Sequence, residues 1–172
     1  MGKSSLVLTL DDEPATSALG AALGDALRSM PESVESAGIF IAVAGDLGSG
    51  KTTLVRALLR RLGVTGAVKS PSFALLEPYE VSRLHLYHFD FYRFKNPREF
   101  VESGFLEFFR PGNVCLVEWP ERAGEYLPVA DVSIGLAIVN SGRSAVIGAN
   151  TEIGGRCLYQ LKIHLKPADA DA

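Results

Sequence analysis

With 172 residues, 47% hydrophobic and 22% charged, the chain has the size and composition of one globular domain with a substantial core. A net charge of -3 gives no overall electrostatic drive toward nucleic acid or anionic membrane, and no apolar segment reaches membrane-spanning length. Met1-Gly2 opens like a myristoylation signal, but Leu6 stands where the pattern needs Ser or Thr; no signal peptide is legible, and the expected location is cytoplasmic.

Leu6–Leu10 reads as a first strand. Asp11-Asp12-Glu13-Pro14 then opens a helix, with acids and a proline in its first turn. Ala18, Leu19, Ala22, Leu23, Ala26, Leu27 and Met30 form its apolar face, and a polar loop is expected over Pro31–Gly38. Ile39–Ala44 is a continuous apolar run, the pattern of a parallel strand covered on both faces. Gly45-Asp46-Leu47-Gly48-Ser49-Gly50-Lys51-Thr52 follows and fits G-x-x-x-x-G-K-[ST], the P-loop. Leu54, Val55, Leu58, Leu59 and Leu62 then recur at helical spacing, and Gly63 stands where a helix ends. This strand, loop and helix order is the context the motif requires.

The pattern names a ligand by its mechanism. Glycines let the loop curl so that its N–H groups form an anion nest, and the helix adds its positive N-terminal end. Lys51 is placed to reach the β- and γ-phosphates, and the Thr52 hydroxyl to ligate Mg²⁺. Asp46, Gly48, Ser49, Gly50 and Thr53 complete the expected nucleotide-binding set. The glycine spacing 45, 48, 50 does not fit G-x-G-x-x-G, which disfavours a dinucleotide cofactor.

Beyond the helix, Gly66–Ser72 is a loop carrying Ser70-Pro71-Ser72, where P-loop proteins often sense the terminal phosphate; a simple turn is the alternative. Strands are expected at about Phe73–Val81 and Leu84–Phe91, paired as a hairpin about Ser82-Arg83. Asp90 lies between two aromatics near the end of the second, a candidate Mg²⁺ neighbour. Asn96-Pro97 opens a helical stretch to about Phe109, interrupted near Gly104. Val114–Val117 is an apolar run closed by Glu118, a Walker-B-like pattern. Trp119, the only tryptophan, packs in the core, lines the site or faces a partner. Arg93 is a candidate for neutralising transition-state charge, with a structural salt bridge the stronger expectation. Lys69, Arg83, Arg93, Lys95 and Arg98 are scattered and read as a solvated face.

The last third changes character. Val132, Ile134, Leu136 and Ile138 alternate, as do Cys157, Tyr159, Leu161, Ile163 and Leu165, and Asn140-Ser141-Gly142 marks a turn between antiparallel strands. Ala145–Arg156 fits no pattern. Cys115 and Cys157 read as reduced core cysteines in strand-like runs, and His85, His88 and His164 show no metal-ligand spacing. One P-loop domain over 1–167 is expected, with a disordered tail over 168–172.

Four segments, Gly45–Thr53, Val68–Phe73, His88–Arg93 and Val117–Pro120, in this order and at this spacing, resemble the TsaE (YjeE) family. The likeness runs from about Leu6 to about Val139. It implies an α/β P-loop NTPase fold: a mixed sheet with a parallel core, flanking helices and antiparallel C-terminal strands. It also implies an ATPase using ATP and Mg²⁺, acting with a TsaD–TsaB pair and only indirectly on tRNA, without a membrane. The product would be N6-threonylcarbamoyladenosine at position 37 of tRNAs reading ANN codons, made by the complex and not by this chain as transferase. By motif position, Thr52, Asp90 and Glu118 belong to the metal site, with the two acids as catalytic groups. Ser70, Pro71 and Ser72 behave as a switch, Trp119 lies beside the site, and Thr16 lies close to the adenine. Many relatives carry Thr where Ser72 stands, and a hydroxyl is kept. A small-molecule kinase and a nucleotide-gated adaptor are the competing readings, and the chain lacks the arginine-rich lid that the first of these needs.

Overall fold

The computed structural model describes residues 4–165, so the tail expected over 168–172 lies outside the described residues. The elements are β1 (Ser5–Leu10), α1 (Glu13–Arg28), α2 (Pro31–Ala37), β2 (Ile39–Gly45), α3 (Lys51–Leu62), β3 (Leu76–Val81), β4 (Leu84–Asp90), α4 (Glu99–Glu102), β5 (Asn113–Glu118), β6 (Val132–Val139), β7 (Gly142–Ala149) and α5 (Glu152–Leu165). Their strands form one sheet in the order β1-β7-β6-β2-β5-β4-β3. β6, β2, β5 and β4 run parallel, as the apolar runs of β2 and β5 anticipate. β3 and the β7-β1 pair close the two edges antiparallel. The fold is the expected mixed α/β sheet with a parallel core and flanking helices. Among the described residues no helix is long and apolar enough to cross a membrane.

Two cores hold the sheet. One is aliphatic: Leu19, Leu23 and Leu27 of α1, Leu54, Leu58 and Leu59 of α3, and Leu158 and Leu161 of α5 belong to one cluster with Leu86, Val114 and Leu116. The other is aromatic: Phe89, Phe91, Phe94, Phe100 and Phe105 gather on the opposite face with Cys115 and Val117. Strand parity therefore decides function here. His88, Asp90 and Glu118 share the parity of Leu86, Val114 and Leu116, so their side chains lie on the α3 face. Each fully buried Leu or Phe contributes about 1.5–3 kcal/mol, so both faces restrain the same strand ends.

Several elements differ from the sequence reading. Pro31–Ala37 is a short helix and not a loop: Pro31 takes its first turn and Val34 is buried beneath it. Strand β3 begins only at Leu76, because Leu75 has φ 69 and takes a turn. The helical stretch after Asn96 is reduced to the single turn of α4 and a 3₁₀ turn at Phe105–Phe108, separated at Gly104. β6 pairs antiparallel only with β7 and lies parallel to β2.

The largest correction is α5. Cys157, Tyr159, Leu161, Ile163 and Leu165 are helical and not strand residues. Their alternation is coincidental: the buried set is Gly154, Cys157, Leu158 and Leu161, at helical spacing, while Tyr159 is 65% exposed. Thr151 caps the helix by accepting from the Gly154 N–H at 3.2 Å. Gly154 is required there, because a Cβ would fall 1.9 Å from the Asp131 carbonyl oxygen. Both cysteines are free and buried as expected, Cys115 on β5 and Cys157 on this helix.

Candidate nucleotide site

β2 delivers the chain at Gly45, and the loop over 46–50 turns it into α3, whose first residues are Lys51, Thr52 and Thr53. Gly50 has φ 100, and a Cβ there would lie 3.1 Å from Arg143 Nε and 3.3 Å from Thr16 Cγ2. The left-handed conformation favours glycine, and a Cβ would crowd both side chains. Thr16 itself is fully buried, with its hydroxyl donating to the Asp12 carbonyl at 3.3 Å. It packs beneath the loop and does not line the cleft above it.

Lys51 folds back along the loop. Its Nζ donates to the Gly45 carbonyl at 2.6 Å and the Asp46 carbonyl at 2.9 Å, and lies 4.1 Å from the centre of the Trp119 ring. Burial holds the ammonium below its ordinary pKa, against the opposing pull of Glu118, Asp90, Glu121 and Asp46. Trp119 reaches this place through a left-handed backbone, φ 58, which is costly for a bulky residue and marks a constrained turn. It both packs on the aromatic core and lines the cleft.

The two acids meet because β4 and β5 pair parallel in a register that sets Asp90 opposite Glu118, at the C-terminal ends of both strands. Glu118, 1% exposed, accepts from the Thr52 hydroxyl at 3.0 and 2.9 Å and from His88 Nε2 at 2.8 Å. A carboxylate can only accept, so His88 donates through Nε2. Its Nδ1 is buried without a partner among the described residues. Asp90, 4% exposed, accepts from the Ser70 hydroxyl and from the Tyr92 N–H at 2.9 Å. Ser70 thus ties its loop to the acid, Pro71 is buried beside it, and Ser72 faces the cleft.

These groups line a cleft of about 400 Å³. Gly48, Gly50, Lys51, Thr52 and Thr53 form its floor; Ser70, Ser72, Asp90, Glu118 and Trp119 form one wall. Ser49 is buried under the loop, and Asp46 is exposed at its start. The donors suit a hard cation. Thr52 gives its proton to Glu118 and keeps lone pairs free, and two carboxylates stand nearby. Among the described residues no three His, Cys, Asp or Glu form a cage, and Mg²⁺ bound with phosphates does not need one. A larger hollow of about 890 Å³, bordered by Met30, Asn150 and Tyr159, contains none of the motif residues.

Two residues went unassigned in the sequence. His88 had a signal, since it shares strand parity with Asp90. Arg143 of β7 had none: its Nε donates to the Ser49 carbonyl at 2.8 Å from the far side of the chain. Arg93 forms no salt bridge among the described residues; its guanidinium instead stacks on Phe73, 3.7 Å from the ring centre. Lys69, Arg83, Lys95 and Arg98 are exposed, as expected of a solvated face.

A family model described as "Threonylcarbamoyl adenosine biosynthesis protein TsaE" matches residues 10–145. The tRNA threonylcarbamoyladenosine biosynthesis protein TsaE of Haemophilus influenzae is 38% identical over 116 residues, 67% of this chain and 73% of that protein. The protein of the same name from Rickettsia felis is 32% identical over 138 residues, 80% of this chain and 75% of the relative. Among solved structures, the crystal structure of YdiB from Bacillus subtilis is similar with a TM-score of 0.76 and 27% identity, covering 96% of this chain and 99% of that one. The phosphate loop, the two strand-end acids and these likenesses agree, and the chain belongs to the TsaE family.

Proposed function

We propose that this chain, as one P-loop NTPase domain over 1–167 acting in the cytoplasm, binds and hydrolyses Mg-ATP to support a TsaD–TsaB complex. That complex would form N6-threonylcarbamoyladenosine at position 37 of tRNAs reading ANN codons. The observation that carries the reading is the convergence of Lys51, Thr52, Asp90 and Glu118 on one cleft in a chain of this family. The loop from Gly48 to Thr52 cradles the phosphates with its N–H groups. Lys51 exchanges its two carbonyl partners for phosphate oxygens, and its low-lying pKa reflects a charge held out of water until then. Thr52, Glu118 and Asp90 would hold Mg²⁺, which would supply charge neutralisation at the bound phosphates.

Glu118 holds the Thr52 proton, which turns the Thr52 lone pairs into the cleft, and His88 fixes the carboxylate. Asp90, held by Ser70, shares the hydrolytic end of the site and links it to the Ser70–Ser72 switch. Thr16 supports the loop near the nucleoside. Arg93 and Arg143 both border the cleft, but the first stacks on Phe73 and the second is held on the Ser49 carbonyl, so neither guanidinium is free for the transition state. Hydrolysis is therefore slow until a partner completes the site. That same feature favours a second reading, a nucleotide-gated adaptor that needs binding but not hydrolysis.

The test is the tRNA content of this modification in cells lacking the protein. The deletion should remove it, and the wild-type chain should restore it, whereas Lys51→Ala and Glu118→Gln should not. Full modification in the deletion strain contradicts the reading; restoration by Glu118→Gln alone supports the adaptor.

A further inference from the structure

Arg143 is the second residue of β7, opposite Leu10 of β1 and Ile138 of β6, and shares the strand parity of the buried Ala145 and Ile147. Its side chain is half-buried and crosses from the β6–β7 turn to the phosphate loop, where it borders the cleft. Nε donates to the Ser49 carbonyl at 2.8 Å, and Nη2 makes a longer contact of 3.4 Å with the Gly48 carbonyl. Among the described residues it pairs with no carboxylate, so its full charge is directed at the loop. Burying even part of an arginine without an acidic partner is costly, and backbone carbonyls are all that offset it here.

We propose that Arg143 is a positioning residue for phosphate binding: from the C-terminal hairpin it holds the Ser49 carbonyl on its guanidinium and thereby turns the Gly50 N–H to the opposite side, as an anion donor of the loop. The reasoning is geometric. A trans peptide is planar, so the carbonyl of Ser49 and the N–H of Gly50 point in opposite directions, and no peptide here is cis. Fixing the oxygen on Arg143 fixes the N–H on the other side. That N–H has no partner among the described residues, whereas the Ser49 N–H is already spent on the Asp46 carbonyl at 3.0 Å. A charged donor on the oxygen also polarises the peptide and strengthens its N–H as an anion donor. A side chain at Gly50 would be strained at φ 100 and would crowd Arg143 and Thr16, so the hairpin, α1 and the loop meet at one corner.

This inference rests on the nucleotide-binding reading of the cleft, and the test separates the two. Mg-ADP and a non-hydrolysable Mg-ATP analogue are titrated calorimetrically into the wild-type chain, Arg143→Gln and Arg143→Lys, with melting temperature and circular dichroism measured in parallel. The expected result is a loss of about tenfold or more in affinity for both nucleotides, by the same factor, in Arg143→Gln. Arg143→Lys, which keeps the charge but lacks the Nε geometry, should stay weakened and serves alone if the glutamine variant does not fold. Unchanged affinity in a folded variant would reduce Arg143 to a structural tether. A loss confined to the triphosphate would mean direct contact with the terminal phosphate, and full recovery by lysine would mean that charge alone suffices; each overturns the positioning role. No binding by the wild-type chain would instead refute the nucleotide reading itself.

Discussion

Glu118→Gln removes one charge from the cleft and leaves its shape almost intact. Glu118 is buried and accepts from Thr52 at 3.0 and 2.9 Å and from His88 at 2.8 Å. In the variant the amide oxygen keeps the His88 proton, and the amide nitrogen donates to the Thr52 oxygen. Two partners bonded to a charged acceptor, at about 1.5–3 kcal/mol each, become neutral pairs at about 0.5–1.5. Relief of carboxylate desolvation, several kcal/mol, opposes that loss, so stability should stay within about 2 kcal/mol of wild type. Glu118→Ala is harsher. It strands two donors, at about 1–3 kcal/mol each, beside a new void, for a total of about 3–5 kcal/mol. Both variants should lose hydrolysis by about 10²–10⁴-fold, or about 3–5 kcal/mol of barrier. Binding of Mg-ATP by the glutamine variant should change by less than about fivefold, under about 1 kcal/mol, because Lys51 and the loop are intact. Urea unfolding, nucleotide titration and phosphate release with TsaD–TsaB present measure the three quantities. A glutamine variant that hydrolyses ATP at the wild-type rate would refute the role of Glu118. An alanine variant as stable as the glutamine one would refute the hydrogen-bond network.

Other expectations test separate parts of the account. Trp119 is the only tryptophan, and Lys51 lies 4.1 Å from its ring; adding Mg-ADP should change its fluorescence, and Lys51→Ala should weaken the nucleotide and abolish the lysine-dependent part of the signal. An identical titration in the variant would argue against phosphate contact by Lys51. His88→Ala should cost at least about 1.5–3 kcal/mol in urea unfolding, the worth of a bond to a charged partner; an unchanged midpoint would contradict the observed pairing. Burial, reinforced by the charge of Asp131, pushes the Cys115 and Cys157 thiols up to about 12. Both should resist alkylation at pH 8 until the chain unfolds. Because the folded state keeps these protons longer than the unfolded one, their contribution to stability should be full below about pH 9 and decline toward about pH 12. Rapid labelling of the native chain would show that one thiol is accessible.

What the sequence made legible was local or periodic. The phosphate loop is a contiguous string between an apolar strand and an amphipathic helix, and it folds as that context requires. Glu118 could be found because it closes an apolar run and Asp90 because it lies between two aromatics near a strand end, and strand parity then places both on the α3 face. Parity could equally have named His88. The C-terminal third was misread where two periodicities overlapped. Residues 157, 159, 161, 163 and 165 alternate by composition, but packing selects 154, 157, 158 and 161, and two of the helix's core-facing positions carry only Gly and Cys. The Thr151 cap was the local signal that could have corrected it. Arg143 was beyond any such pattern, because its partner Ser49 lies 94 residues earlier. Only the placement of β7 between β1 and β6 brings them together.

The most direct measurement is phosphate release from Mg-ATP by the purified chain, with and without TsaD–TsaB. The account predicts slow release alone, a marked rise on adding the pair, and loss of that rise in Glu118→Gln despite retained nucleotide binding. A rate that the pair leaves unchanged, or one that Glu118→Gln sustains in full, would contradict it.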